Sequence, residues 1–425
     1  MRIAVIGTGI AGNVVAHKLH REHELTVYEA AGHVGGHTHT HRIEQGGEVQ
    51  HIDTGFIVFN DRTYPNFVAL LGELGVASQP STMSFSVRNE QSGLEYNGTS
   101  LNGLFAQRRN LLRPSFHRML HEILRFNREA PALLEERADT EITLAQFLAE
   151  RRFGGRFVDD YLIPMGAAIW STDPQRMLGF PARFFVRFLH HHGMLTLDDR
   201  PIWRTIAGGS ARYVEKLVAP WRHRIRLRTP IEQVRRLAEG VLVQPRGLPA
   251  ERHDHVFFAC HADEALALLA DASPQEREIL SAFPFQRNDA VLHTDTSLLP
   301  RTPRAWAAWN YHVPREPGSS VALTYDMNLL QRLVSRHTYC VTLNRSERID
   351  PTRVLRRLTY AHPLFTPAGI AAQRRHHEIS GVRRTHYCGA YWRYGFHEDG
   401  VVSALAALRL FEYGRDAQRD LPRVA

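Results

Sequence analysis

A chain of 425 residues with 43% hydrophobic and 23% charged side chains can bury a large core, reads as an ordinary globular mixture and has room for about two domains. No apolar run approaches the ~18 residues of a membrane-spanning helix, the first residues already form a buried strand with no room for a leader, and Cys260, Cys340 and Cys388 make no CxxC pair or disulfide framework, so a reducing, cytoplasmic setting is expected. The net charge of +8 comes almost wholly from arginine, Lys18 and Lys216 being the only lysines; without a basic block interleaved with aromatics it excludes a nucleic-acid module and leaves compositional bias, an anionic substrate or an anionic membrane surface.

Taken in chain order, Arg2-Ile3-Ala4-Val5-Ile6 is a continuous apolar strand that runs straight into Gly7-Thr8-Gly9-Ile10-Ala11-Gly12 and then a helix through Val15 and Leu19. In that pattern Gly7 makes the tight turn, Gly9 admits a pyrophosphate close to the backbone and Gly12 lets helix and strand pack. The helix start offers free N–H groups and a positive dipole end to phosphates. A second strand, Leu25 to Tyr28, ends in Glu29, placed to accept from the hydroxyls of an adenosine ribose. Gly32-His33-Val34-Gly35-Gly36-His37 follows, then Asp53-Thr54-Gly55. A nicotinamide domain needs no second glycine pair there, whereas a long extended FAD does.

Helical spacing covers Phe67 to Leu74, and alternation over Met83 to Tyr96 predicts a hairpin, so the chain leaves the nucleotide domain near residue 76. From Asn110 to Ala130, Phe116, Met119, Leu120, Ile123 and Leu124 fall on one helical face, with Arg118, Arg125 and Arg128 largely opposite. Such a helix packs its stripe on a core or rests on a membrane surface. Leu144 to Phe153 is a further helix, and Leu162, Ile163, Met165 and Ile169 are candidates to wall a channel. Trp203 to Ser210, with Gly208-Gly209 before a helix, returns to the nucleotide domain and leads to strands at Ile225–Leu227, Ile231–Val234, Val241–Val243 and Asp254–Cys260. The second excursion carries strand-like runs at Ala290–Thr294, Ala305–Tyr311, Ser320–Tyr325 and Thr338–Leu343, turns with Pro317 and Gly318, and a helix over Arg353–Leu358. The last return is the strand at Thr385–Trp392, then Gly395-Phe396-His397-Glu398-Asp399-Gly400 and the helix Val401–Phe411, whose N-terminus suits the negative charge that develops on a reduced flavin.

The first glycine motif, Gly35-Gly36-His37-Thr38-His39-Thr40, Asp53 to Asn60 and Gly395 to Gly400 together resemble the flavin amine oxidase superfamily. Within it they are similar to a bacterial group of predicted NAD/FAD-binding proteins associated with cyclopropane-fatty-acid-synthase-like methyltransferases. The resemblance implies an α/β fold, with a Rossmann-like FAD/NAD(P)-binding domain of residues 1–75, 205–262 and 378–425 and an α+β substrate domain of 76–204 and 263–377. It implies non-covalent FAD, held by Gly7, Gly9, Gly12, Glu29, Gly35, Gly36, His37, Thr38, Thr54, Gly55, Val234, Gly389, Gly395, Phe396, Gly400 and Val401. It also implies a desaturase-like oxidoreductase for an unsaturated or methylated acyl chain of a lipid. A flavin-dependent double-bond isomerase, an amine oxidase and a non-enzymatic lipid-binding protein are the alternatives.

Three departures mark this chain. His37 stands where the superfamily has Arg, Ala390 stands where an acid follows the glycine aligned with Gly389, and neither lysine falls in a segment expected over the flavin ring. The last of these weakens amine oxidation. His397 and Glu398 are the candidate catalytic base or orienting groups, against the reading that Glu398 and Asp399 simply favour a helix start. His37, His39 and His41 would share one strand face, where phosphate or ribityl contacts are expected and no metal. The expected setting is cytoplasmic, with peripheral contact at an anionic inner-membrane face, no nucleic-acid partner and an open oligomeric state.

Overall fold

The computed structural model describes residues 1–135, 142–196, 198–315 and 321–419. Five strands run parallel in the order Ile225–Arg226, Glu24–Tyr28, Arg2–Ile6, His255–Phe258 and Thr385–Tyr387. Arg2–Ile6 sits centrally because its residues alternate between two apolar layers. Ile3 and Val5 pack with the helices Ile10–Leu19 and Ala211–Val218 and with Val401, Ala404, Ala407 and Phe411 of the last helix. Ala4 and Ile6 pack on the opposite side with Val234, Val241 and Val243 of a small antiparallel sheet. Both faces being covered, the strand reads as an uninterrupted apolar run.

That second layer also takes Ala265, Ile279 and Leu280 from the helices Ala262–Leu268 and Pro274–Ser281. The boundary drawn at 262 therefore falls inside one core, and the chain leaves the sheet only at the strand Phe285–His293. The remainder builds a seven-stranded sheet in the order Val354–Pro363, Phe285–His293, Cys340–Leu343, Leu323–Asp326, Trp309–Val313, Phe85–Asn89 and Leu94–Asn97. The two excursions meet where Trp309–Val313 lies parallel to Phe85–Asn89. Ser320, Pro317 and Gly318 lie outside the described residues.

Two expectations change. Arg353–Leu358 is not helical: Val354–Pro363 is a strand that pairs along nearly its whole length with Phe285–His293. Val354 and Leu358 fit a helical repeat, but the β-branched and aromatic residues that follow prefer a pleated partner, and the long ladder decides. The Asn110–Ala130 segment divides into a 3-10 turn, Arg108–Leu112, and a helix, Pro114–Glu129, that starts at its proline. Phe116 and Met119 are buried, and Leu120 and Ile123 pack on the same core. Arg125 lies 4.1 Å over the Phe153 ring and donates to the carbonyls of Arg151 and Arg152. The stripe is thus spent on the protein interior except for Leu124, which is 52% exposed. Among the described residues no helix is long and apolar enough to cross a membrane.

Candidate active site

The site opens at the carboxyl ends of the parallel strands, where the crossover turns leave backbone exposed. Gly7 closes the first strand at φ +103°, and a Cβ there would lie 2.7 Å from the Ala259 carbonyl oxygen, so only glycine fits. A Cβ on Gly12 would lie 2.1 Å from the Gly7 oxygen, because the helix packs directly on the turn. Gly9 differs from both: a Cβ there would meet no protein atom within 4 Å, and the residue lines a cavity of about 700 Å³. The helix Ile10–Leu19 begins at Gly9 with no side-chain cap, so its first N–H groups are free for an anion. Gly36, at φ +59°, brings the second glycine loop against Gly9, a Cβ on it lying 3.1 Å from the Gly9 Cα.

Glu29 lines the same cavity and accepts from the N–H groups of Thr8 at 2.9 Å and Ala31 at 2.8 Å. An open backbone, an uncapped helix start and a carboxylate at the end of the second strand fit the diphosphate and ribose of FAD. Farther along, Gly35, His37, Gly55, Gly389, Ala390, Gly395, Phe396 and His397 line the cavity. His37 packs beside His362 and His261, with ring centroids 5.4 and 6.2 Å away. Burial and those two imidazoles hold it well below the ordinary histidine range, so this position presents a neutral ring. Its Nε2 is buried without a hydrogen-bond partner among the described residues, which suits a polar atom of a bound cofactor.

His397 is nearly buried and stacks on Phe56 at 3.7 Å. Its Nε2 is 2.7 Å from the Tyr213 hydroxyl, which in turn is 2.8 Å from Thr38 Oγ1. Burial lowers the His397 pKa to about 3, so the imidazole is neutral and its hydrogen bond to Tyr213 fixes its orientation. Thr54 makes a parallel contact, its Oγ1 lying 2.7 Å from the Tyr360 hydroxyl.

Other expected contacts do not face the cavity. Thr38 and Thr54 act through these hydrogen bonds. Gly12, Gly400 and Val401 are packing positions, a Cβ on Gly400 reaching within 2.5 Å of Ile10. Val234 is buried in the second layer, and its carbonyl accepts from Ala270 N–H; Thr229, Pro230 and Ile231 supply the lining from that segment instead. Glu398 is not a base over the cavity. Its carboxylate accepts from the N–H groups of Asn66 and Phe67 and from the Asn66 amide, capping the helix Pro65–Glu73, whose first N–H groups need partners. Of the proposed channel residues Ile169 lines the cavity, whereas Leu162, Ile163 and Met165 pack in the helical core. His33 stacks on His39 at 3.9 Å, and His41 lies tilted against His39 at 4.1 Å.

The segment ending at Ile169 and Trp170 was expected in a pocket wall and is found there, but sequence reasoning missed the aromatic residues that complete it, Trp309, Tyr325, Phe365 and Tyr394. It also missed Tyr360 and His362. The signal for those two was available: in a strand they alternate onto one face, and the helical reading of the segment just before them concealed it.

A family model described as flavin containing amine oxidoreductase matches residues 10–291. A curated relative, the flavin-dependent L-tryptophan oxidase RebO of Lentzea aerocolonigenes, is 36% identical over 76 residues, which are 18% of this chain and 16% of that protein; the match thus spans about a sixth of the relative's length. Among solved structures, cyclohexylamine oxidase from Brevibacterium oxydans IH-35A aligns with a TM-score of 0.68 at 15% identity, over 97% of this chain and 99% of its own. A putrescine oxidase bound to putrescine aligns at 0.69 and 14%, with the same coverage. A CLA-producing fatty acid isomerase from P. acnes aligns at 0.66 and 16%, over 96% of this chain and 98% of its own. At these identities the likeness is one of fold.

Proposed function

This chain belongs to the flavin-containing amine oxidoreductase family, and from that premise we propose that it is an FAD-dependent oxidoreductase whose substrate is an unsaturated or methylated acyl chain of a lipid, oxidised in the manner of a desaturase. The character of the cavity beyond the nucleotide end carries this reading. Its wall is aromatic and aliphatic, and the only carboxylates in the described lining, Glu29 and Glu264, stand beside the parallel strands. Lys18 is paired with Glu73, and Lys216 donates to the carbonyls of Leu74 and Gly75, so neither reaches the lining. An ammonium group entering this wall would lose its water without gaining a carboxylate, whereas a hydrocarbon loses nothing.

FAD, when bound, would supply the acceptor for a two-electron oxidation. Gly9, Gly36 and the uncapped helix start hold the phosphate end, and Glu29 orients the ribose. Trp170, Trp309, Tyr325 and Phe365 exclude water and align the chain. Neutral His397, held by Tyr213, presents a fixed polar ring in the lining beside Phe396. The likeness to a fatty acid isomerase supports a second reading, in which the hydride returns to the chain and the double bond moves. Incubation of the purified yellow protein with unsaturated and methyl-branched acyl lipids, followed by mass spectrometry, separates them. Loss of two hydrogens is expected for oxidation, and an unchanged mass with a shifted double bond marks isomerisation. Rapid turnover of a soluble amine, with the acyl lipids inert, would overturn both and assign the aromatic faces to cation binding.

A further inference from the structure

We propose that the loop Leu101–Arg113, with the arginine cleft beside it, docks this protein on an anionic phospholipid bilayer. The surface lies outside the cavity, and docking there is independent of which substrate the cavity takes.

Three leucines in this loop are left in solvent: Leu112 is 88% exposed, Leu101 75% and Leu111 50%. They are presented by a fixed element rather than by a fraying end. Ser100 caps the short helix Leu101–Leu104 by accepting from Gly103 N–H. Gln107 accepts from Glu95 N–H and donates to the Gly93 carbonyl, and Arg109 donates to that same carbonyl at 2.6 Å. Ala106 and Asn110 are buried beneath the turn. A loop tied down at this many points and still exposing its leucines is built to present them.

The charge around the leucines has one sign. The sequence contains no acidic residue from Leu101 to His121, while it holds Arg108, Arg109, Arg113 and Arg118. The first acid, Glu122, is occupied by the Gly154 N–H. Arg109 also lines the adjoining cleft of about 870 Å³, where six arginines, at 88, 109, 301, 315, 345 and 348, face Glu90, Glu95 and Glu347. Those carboxylates are matched within the cleft by Arg88, Arg345 and Arg348, of which Arg88 and Arg345 are nearly buried, so the exposed excess is Arg109, Arg301 and Arg315. Glu95 accepts from the N–H groups of Arg301 and Thr302, Glu347 lies 3.2 Å from Arg345, and Glu90 lies 3.6 Å from Arg88. Protruding leucines beside an excess of guanidinium suit the acyl boundary and the phosphate layer of one bilayer. A nucleic acid would satisfy the arginines and leave the leucines in water.

The test is co-flotation of the FAD-loaded protein with vesicles of phosphatidylcholine, alone or mixed with phosphatidylglycerol. Binding to the mixed vesicles is expected, much weaker binding to the neutral ones, and release by salt. Leu111→Asn with Leu112→Asn should weaken binding by about 10-fold, and Arg109→Glu with Arg301→Glu by a similar ~10-fold. Arg128→Glu, at the far end of the helix Pro114–Glu129, should change it by less than about 2-fold. An unaltered thermal midpoint and flavin spectrum show that the leucine variant folds. No flotation at low salt, equal binding to neutral vesicles, undiminished binding of the leucine variant, or displacement by duplex DNA as effective as by phosphatidylglycerol would each overturn the proposal. Turnover of a detergent-dispersed acyl lipid by the leucine variant reads the active site separately, so either idea can fail alone.

Discussion

The two ends of the cavity are built on different principles. At the nucleotide end, the work falls to backbone: three glycines and a helix start lie within six residues, and each glycine has its own geometric reason. At the far end it falls to side chains drawn from the helix Ile163–Trp170, the strands Trp309–Val313 and Leu323–Asp326, the loop at Phe365 and the turn before the last helix. Backbone sites tolerate little change because no rotamer can relieve a clash with a carbonyl, whereas a wall of rings can repack. This contrast explains how one fold accommodates enzymes named for cyclohexylamine, putrescine and a fatty acid.

The sharpest way to break the contrast is to put a side chain at each glycine in turn. Gly12→Val drives a Cβ against the Gly7 carbonyl and is expected to cost more than about 4 kcal/mol, seen as loss of cooperative unfolding or of soluble protein. Gly9→Ala should fold with an unchanged midpoint for the apoprotein, since its Cβ meets no protein atom, yet lose FAD affinity by about 10-fold, or ~1.4 kcal/mol. Equal FAD affinity in that variant would show that the cradle is misassigned. At the other end, His397→Ala should lower turnover by roughly 10- to 100-fold while the flavin stays bound. Tyr213→Phe should shift the pH profile of that step.

Acid probes both halves at once. His253 packs by the nucleotide sheet, whereas His192 and His293 belong to the substrate half; burial lowers all three to about 4, and His397 to about 3, from 6.5. The unfolded chain therefore binds protons first as the pH falls. Their contribution is fully present above about pH 6.5 and is lost toward pH 4, by about 1.4 kcal/mol per pH unit for each histidine. Denaturant midpoints measured near neutral pH and near pH 5 check the sign. The smallest effect separates two neighbours: Glu398→Gln should cost about 1 kcal/mol of stability through the weakened helix cap, with turnover unchanged. A fall in turnover like that of His397→Ala would return Glu398 to the chemistry.

Legibility followed the same division. The glycine turn and Glu29 were readable because each is a local pattern whose cause lies within a few residues; the last helix begins at His397, four residues before the expected Val401. Glu398 was misread because its partners, Asn66 and Phe67, lie more than three hundred positions away, and no local spacing distinguishes a cap from a base. The Arg353–Leu358 segment was misread because its apolar spacing suits both periods, and a nine-residue partner strand chose between them.

By itself, then, the sequence determined the nucleotide cradle, since crowding and positive φ at neighbouring residues admit one kind of backbone. Tertiary structure alone decided which side chains face the cavity, which face of the helix Pro114–Glu129 is spent on the core, and where the leucines beside it are left exposed. Those outcomes depend on what packs against each segment from elsewhere in the chain, and a run of residues carries no record of its distant partners.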